Sequence, residues 1–244
     1  MTLFLFLIAS LAGALNAVAG GGSFLTLPAL LYAGVTPVAA NATSTFAMWP
    51  ASVSSAIAYR RDITTSSRWL LVLGAVSLVG GLTGGLLLVR TSDTSFMRLL
   101  PWLMLLAAVT FSLGNRIKLG THLQNAAVIG VIQLVISIYG GYFGGGMGIM
   151  MLATMSIAGM RDIHEMNGLK SALGAAINGL ALLTFILSGA IVWRPGVVMV
   201  AGAVIGGYAG ASIARRVPRA WIRSVVIVVA WTMTVYFFAR SYGA

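Results

Sequence analysis

A glycine-rich break interrupts an apolar segment near the start of this chain, and a similar break returns halfway along it. The first runs from Asn16 through Gly20, Gly21, Gly22 and Ser23 to Pro28. The second runs from Gly140 and Gly141 through Gly144, Gly145 and Gly146 to Gly148. Inside lipid, backbone polar groups have no water to turn to, so a span gives up hydrogen bonds only where the freed groups are buried in protein or line a cavity. Consecutive glycines also cost about 1 kcal/mol each within a helix relative to alanine. Two such breaks in corresponding places predict unwound main chain at a site where two halves of a transporter meet.

The surroundings of the breaks fix the solvent. Of 244 residues, 59% are hydrophobic and 8% charged, with a mean hydropathy of +0.98. Apolar runs of membrane-spanning length fill nearly the whole chain. No polar linker or soluble domain divides it, so residues 1–244 read as one membrane domain. The N-terminus lacks the basic stretch of a signal peptide, and its apolar run continues into the first break. Cysteine is absent, which excludes disulfides, thiolate metal sites and cysteine nucleophiles. The formal charge of +11 sits in short loops, where it sets topology and adds a positive potential for anions instead of marking a nucleic-acid binder.

The chain repeats internally. Asn41 and Asn167 stand 126 residues apart, as do Gly80 and Gly206, and Gly84 and Gly210. The expected units are 1–118 and 119–244, divided near Asn115 to Lys118. Each reads as about four segments. A long segment is cut by glycines (Leu3 to Ala33, Leu123 to Ala158), and a second helix follows (Val38 to Tyr59, Met166 to Leu187). A third begins after Arg68 or Arg194, and a fourth after Arg98 or Arg223. If every cut segment crosses once, the basic residues outside Arg161 and Lys170 split seven to six between the faces. If each cut segment doubles back, Arg60, Arg61, Arg68, Arg116, Lys118, Arg215, Arg216, Arg219 and Arg223 share one face, and the split is nine to four. The stronger bias favours inverted repeats with both termini outside.

Candidate binding residues follow from the breaks. A helix starting just after a break offers free N–H groups and a positive dipole end to an anion. The second helix of each unit adds polar side chains: Asn41, Thr43, Ser44 and Thr45 in the first, and Asn167, Lys170, Ser171 and Asn178 in the second. The asparagines also suit helix capping. Gly80, Gly81, Gly84 and Gly85 are spaced for close helix packing. Lys170 stands past Asp162, His164 and Glu165, and Glu165, five residues back, is imperfectly aligned to pair with it. An ammonium inside a span costs about 2.5–3.5 kcal/mol and wants a partner or snorkels to the interface. The four acids (Asp62, Asp93, Asp162, Glu165) fall in or beside loops, and His122 and His164 lie near segment ends. No metal site or hydrolase constellation can be assembled from them.

The stretches NAVAGGGSFLTLPALL and GVTPVAANATSTFAMWPASVSSAIAYRR resemble the opening repeat of the TauE/SafE sulfite exporter family, also called the toluene-sulfonate uptake permeases. GGYFGGGMGIMMLATM and MNGLKSALGAAINGLALLTF resemble its second repeat. The resemblance covers essentially the whole chain and implies a multi-pass bacterial inner-membrane permease for sulfite, sulfonates or related organic anions. It carries over the glycine clusters, Asn41, Thr43, Ser44, Lys170 and Asn178. Leu169 departs from the pattern, standing where a small polar residue often accompanies the lysine.

The expectation is an all-α polytopic carrier of two inverted repeats. The proposed substrate contacts are Asn16, Gly20, Gly21, Gly22, Ser23, Asn41, Thr43, Ser44, Gly144, Gly145, Gly146, Asn167, Lys170 and Asn178. Expected partners are a small anion, the lipid bilayer and a coupling proton or ion. A homo-oligomer is compatible with the pattern, nucleic acid is not, and no cofactor or enzymatic activity is expected. The rival readings are an anion channel, a carrier for small carboxylates, and an intramembrane enzyme or scaffold.

Overall fold

The computed structural model describes residues 1–19, 21–65, 67–113, 125–214 and 219–242. Among these residues the chain forms ten α-helices and no strand: α1 (Thr2–Ala19), α2 (Ser23–Tyr32), α3 (Pro37–Ala58), α4 (Ser67–Arg90), α5 (Asp93–Leu113), α6 (Ala126–Tyr142), α7 (Met147–Ile157), α8 (Ile163–Leu187), α9 (Trp193–Ala214) and α10 (Arg219–Tyr242). Both breaks are present, between α1 and α2 and between α6 and α7. The expected fourth helices start earlier than Arg98 and Arg223, at Asp93 and Arg219. Asp93 explains the earlier start of α5, because its carboxylate suits the positive end of that helix. It also accepts from the Val38 N–H at 2.8 Å, which ties the start of α5 to the start of α3. The expected division at Asn115 to Lys118, and with it Arg116, Lys118, His122, Arg215, Arg216 and Gly20, lies outside the described residues.

At the first break the chain doubles back. A Cβ on Gly22 would meet the Ala12 carbonyl at 2.8 Å, although ten residues of straight helix would separate the two by about 15 Å. Further along, the rings of Phe4 and Tyr32 lie 5.6 Å apart, so α2 returns toward the end from which α1 started. The helices α2 and α7 then end in the same way. Gly34 and Gly159 hold φ of 82° and 90°, and Val35 N–H and Met160 N–H each reach back 3.0 Å, to the carbonyls of Leu30 and Met155. This is the Schellman closure, for which glycine carries no Cβ penalty.

Small residues set the packing of the long helices. Gly80 and Gly84 of α4 lie against Ser137, Ile138 and Gly141 of α6, and Gly81 and Gly85 lie against Ile177 and Ala181 of α8. On the other side Gly202 and Gly206 of α9 lie against Phe6 and Ser10 of α1. These registers make α4 parallel to both α6 and α8, and α9 parallel to α1. By contrast α3 and α8 run antiparallel: Trp49 Nε1 donates to Ala175 O at 3.0 Å, while Tyr59 O lies beside Gly168. The helices α5 and α10 are also antiparallel, with Ser241 Oγ donating to Met97 O at 3.0 Å and Trp231 Nε1 to Ser112 Oγ at 3.0 Å. Met97 O is available because Pro101, four residues on, has no N–H to offer it.

The polarity is inside out. On α4, Gly80, Gly81, Gly84 and Gly85 face other helices, while Leu71, Val72, Leu78, Val79, Leu82, Leu86 and Leu87 are exposed. Small residues at helix contacts with bulky apolar residues outward is the arrangement that suits lipid. Two described helices, Trp69–Arg90 and Ile163–Leu187, are long and apolar enough to cross a bilayer on their own. The shorter apolar helices Thr2–Asn16, Ser23–Tyr32, Ala126–Tyr142 and Met147–Ile157 belong to the two broken pairs.

Candidate functional site

The first break is closed from within. Asn16 Oδ1 accepts from the Gly21 N–H at 3.4 Å, so this side chain bridges the turn. Gly22 and Gly21 are buried, and a Cβ on Gly22 would strike Met48 Sδ at 2.7 Å as well as α1. One turn into α2, Thr26 Oγ1 contacts Ser44 Oγ of α3 at 2.6 Å and Gly22 O at 3.2 Å. Ser44 is thus engaged with the first break. Ser23, at the first position of α2, is half-buried, and its hydroxyl has no hydrogen bond among the described residues.

The second break is more open chemically. Asn41 Nδ2 donates to Tyr142 O, at the end of α6, over 2.8 Å. Tyr139, one turn earlier, donates its hydroxyl to Gly145 O at 2.7 Å and lies 3.0 Å from Leu103 O, fixing the loop to α5. Gly144 and Gly146 have φ of 78° and 83°, and Gly146 caps α7. The N–H groups of Gly144, Gly145 and Gly146 meet no acceptor among the described residues. They join the unpaired N–H groups that any helix start exposes, at the positive end of α7. The two breaks touch: Phe24, just past the first, and Phe143, inside the second, meet edge to face with centroids 6.4 Å apart.

Side chains of α3 and α8 complete the second break. Thr45 and Asn178 each bring an oxygen to 4.0 Å from where a Gly144 Cβ would stand. Asn41 is 1% exposed and Asn178 8%, yet among the described residues the Oδ1 atom of each has no hydrogen-bond partner. An unsatisfied buried acceptor costs about 1–3 kcal/mol. Lys170, two turns into α8, lays its stem across Gly148, with Cδ and Cγ 3.2 and 3.5 Å from the glycine's would-be Cβ. Among the described residues Lys170 has no ion pair or hydrogen bond, and Glu165 accepts from the Thr65 hydroxyl at 2.7 Å.

The sequence-predicted residues therefore divide. Asn41, Gly144, Gly145, Gly146, Lys170 and Asn178 gather at the second break, and Asn16, Gly21, Gly22, Ser23 and Ser44 at the first. Gly20 lies outside the described residues. Thr43 is fully buried and accepts from the Val192 N–H at 3.0 Å, a tie to the start of α9. Asn167 stands apart. The antiparallel run of α3 and α8 sets it beside the Tyr59 end, about 27 Å along α3 from Asn41. Neither asparagine caps its helix, since Thr36 and Asp162 hold those positions. Leu169 is buried in the apolar cluster of α6, α7 and α8. Recesses of about 560 Å³, beside Phe4, Pro28 and Tyr236, and about 590 Å³, beside Leu3 and Val197, are lined by none of the sequence-predicted binding residues.

Sequence reasoning missed Tyr139, Phe143 and the role of Thr45. Thr45 was legible in principle, one turn beyond Asn41 on the same helix face. The aromatic residues carried no signal beyond lying next to the glycines. Among the described residues no three of His, Asp and Glu gather as a metal site would require.

Comparison with known proteins bears on this geometry. A family model described as sulfite exporter TauE/SafE matches residues 5–237. "Probable membrane transporter protein YfcA" of Escherichia coli K12 is 30% identical, covering 98% of this chain and 90% of its own length. "Probable membrane transporter protein" of Haemophilus influenzae is 27% identical, over 94% of this chain and 91% of its own length. "Probable membrane transporter protein ORF9" of a Sinorhizobium species is also 27% identical, over 97% and 92%. No solved structure matches the chain.

Proposed function

The chain belongs to the sulfite exporter TauE/SafE family of membrane transporters, and on that premise we propose that it is a multi-pass secondary carrier for a small organosulfur or related anion. The anion sits at the second break. The N–H groups of Gly144, Gly145 and Gly146 donate to it at the positive end of α7, and the Lys170 ammonium supplies the neutralising charge. The observation that carries this reading is that, among the described residues, those donors and that cation are left without protein partners. Sulfite, sulfonate and carboxylate headgroups all fit planar N–H donors with one nearby positive charge. The Phe24–Phe143 contact joins this site to the first break, which carries Ser23 and Asn16.

The architecture we propose is a single domain of two inverted repeats, residues 1–118 and 119–244, with each glycine-cut pair re-entrant. The helix directions support it. Corresponding helices run antiparallel (α3 to α8, α5 to α10), and α1 lies on α9 as α6 lies on α4. The return of α2 beside α1 leaves three crossings per repeat, the arrangement that collects nine basic residues on one face, which then faces the cytoplasm of a bacterial inner membrane. Buried polar groups at both breaks suit an occluded state, from which one bundle rocks against the other.

Proteoliposomes test the activity. Reconstituted protein is expected to move at least one of sulfite, a sulfonate or a short carboxylate down an imposed gradient, with saturation. Protein-free rates for all three classes would remove the reading, and unsaturable flux at channel rates would replace it with an anion channel.

A further inference from the structure

On the α6 side of the second break, the side away from the proposed anion, the nearest atoms around Gly144 are oxygens, which suit a cation. The three heavy atoms nearest the would-be Cβ of Gly144, apart from its chain neighbours, are all oxygens: Gly140 O at 3.5 Å, Asn178 Oδ1 at 4.0 Å and Thr45 Oγ1 at 4.0 Å. The Thr45 hydroxyl hydrogen is already committed to Asn41 O at 3.1 Å, so Thr45 presents only lone pairs to the gap. Asn41 lies one turn before Thr45 on α3. Its amide orientation is fixed, since only the Nδ2 side can donate to Tyr142 O, and this leaves its Oδ1 an acceptor with no donor. Asn178 Oδ1 is likewise buried and, among the described residues, unpaired. The gap adjoins the C-terminal end of α6, where carbonyls point outward and the dipole is negative.

We propose that these oxygens form a binding site for a monovalent alkali cation, sodium above all, between α3, α6 and α8. Neutral carbonyl, amide and hydroxyl oxygens suit a hard cation of single charge, whereas calcium and magnesium sites are normally built with carboxylates. No acid is among the oxygens here. The cation then occupies the negative end of α6 while the transported anion occupies the positive end of α7, so one unwound turn holds two opposite charges. Each favours the other by direct attraction, and that is the coupling a secondary carrier needs. The inference rests on the carrier reading for its purpose but not for its test.

The test is cation binding to purified wild-type protein with no transported anion present. Replacing choline chloride by sodium chloride at constant ionic strength is expected to raise the melting temperature saturably. Asn178→Leu is expected to abolish that shift and Thr45→Val to weaken the apparent affinity at least tenfold. Ser52→Ala, whose hydroxyl bonds only its own helix at Met48 O, is expected to leave it unchanged. A wild-type protein indifferent to sodium, as when buried water satisfies the oxygens, would overturn the proposal. So would a shift that survives intact in both Asn178→Leu and Thr45→Val, or one produced by magnesium or calcium and not by sodium. Failure of anion transport with a normal sodium response would remove the substrate reading alone.

Discussion

Asn41 donates its side-chain amide to the main-chain carbonyl of Tyr142 across 2.8 Å, so a helix in the first half of the chain terminates a helix in the second. The contact spans 101 residues and ends where the glycine loop begins. Asn41→Leu is expected to strand that carbonyl and to lower stability by about 1–3 kcal/mol. Thermal unfolding in detergent measures the loss, and an unchanged midpoint would show that water or another donor replaces the amide.

Tyr139 holds the same loop from the other side through Gly145 O. Tyr139→Phe keeps the ring packed on Phe143 and deletes only the donor. Folding is expected to persist at a cost of about 1 kcal/mol, with a larger loss of transport than of stability. Flux and melting temperature measured on one preparation separate the two, and equal normality in both would make the hydroxyl dispensable.

Glycines of the packed pair α4 and α6 are expected to differ sharply. A methyl group on Gly84 would strike the carbonyl of Ile138 and the backbone of Gly141, so Gly84→Ala is expected to cost about 1–3 kcal/mol. Gly130 has open space around it, so Gly130→Ala is expected to be neutral or to gain up to about 1 kcal/mol. Denaturation midpoints that fail to separate these two variants would contradict the packing described for α4 and α6.

The positions of the glycine breaks, the helix segments to within about five residues and the packing role of Gly80 and Gly84 were all legible in the sequence, because each rests on local chemistry. The 126-residue offset says nothing about which residues converge. Asn41 and Asn167 match in sequence, yet the antiparallel run of α3 and α8 sends them to opposite ends. Equal offset along the chain carries no information about direction in space. For the same reason Ser44, which corresponds to Lys170 by that offset, meets Thr26 at the first break while Lys170 lies on Gly148 at the second. Tyr139 and Phe143 were illegible, since an aromatic residue in an apolar run looks the same whether it faces lipid or pins a loop.

The absence of cysteine makes each introduced cysteine a unique label. With inverted repeats, Asp62→Cys and Arg161→Cys are expected to react with an impermeant maleimide from one face, and Ser92→Cys and Ser188→Cys from the other. Parallel repeats would instead pair position 62 with 188 and position 92 with 161. Labelling of intact cells against inverted vesicles reads the pairing directly.

The central claim is that the unpaired N–H groups at the start of α7, with Lys170 beside them, hold a small anion. Its most direct measurement is the anion-dependent melting shift of purified wild-type and Lys170→Met protein against sulfite, thiosulfate, taurine, sulfoacetate and short carboxylates. The account predicts a saturable rise with at least one of these for the wild type, and an affinity at least tenfold weaker for Lys170→Met in a protein that still folds. No response to any of them, or equal responses from both proteins, would contradict it.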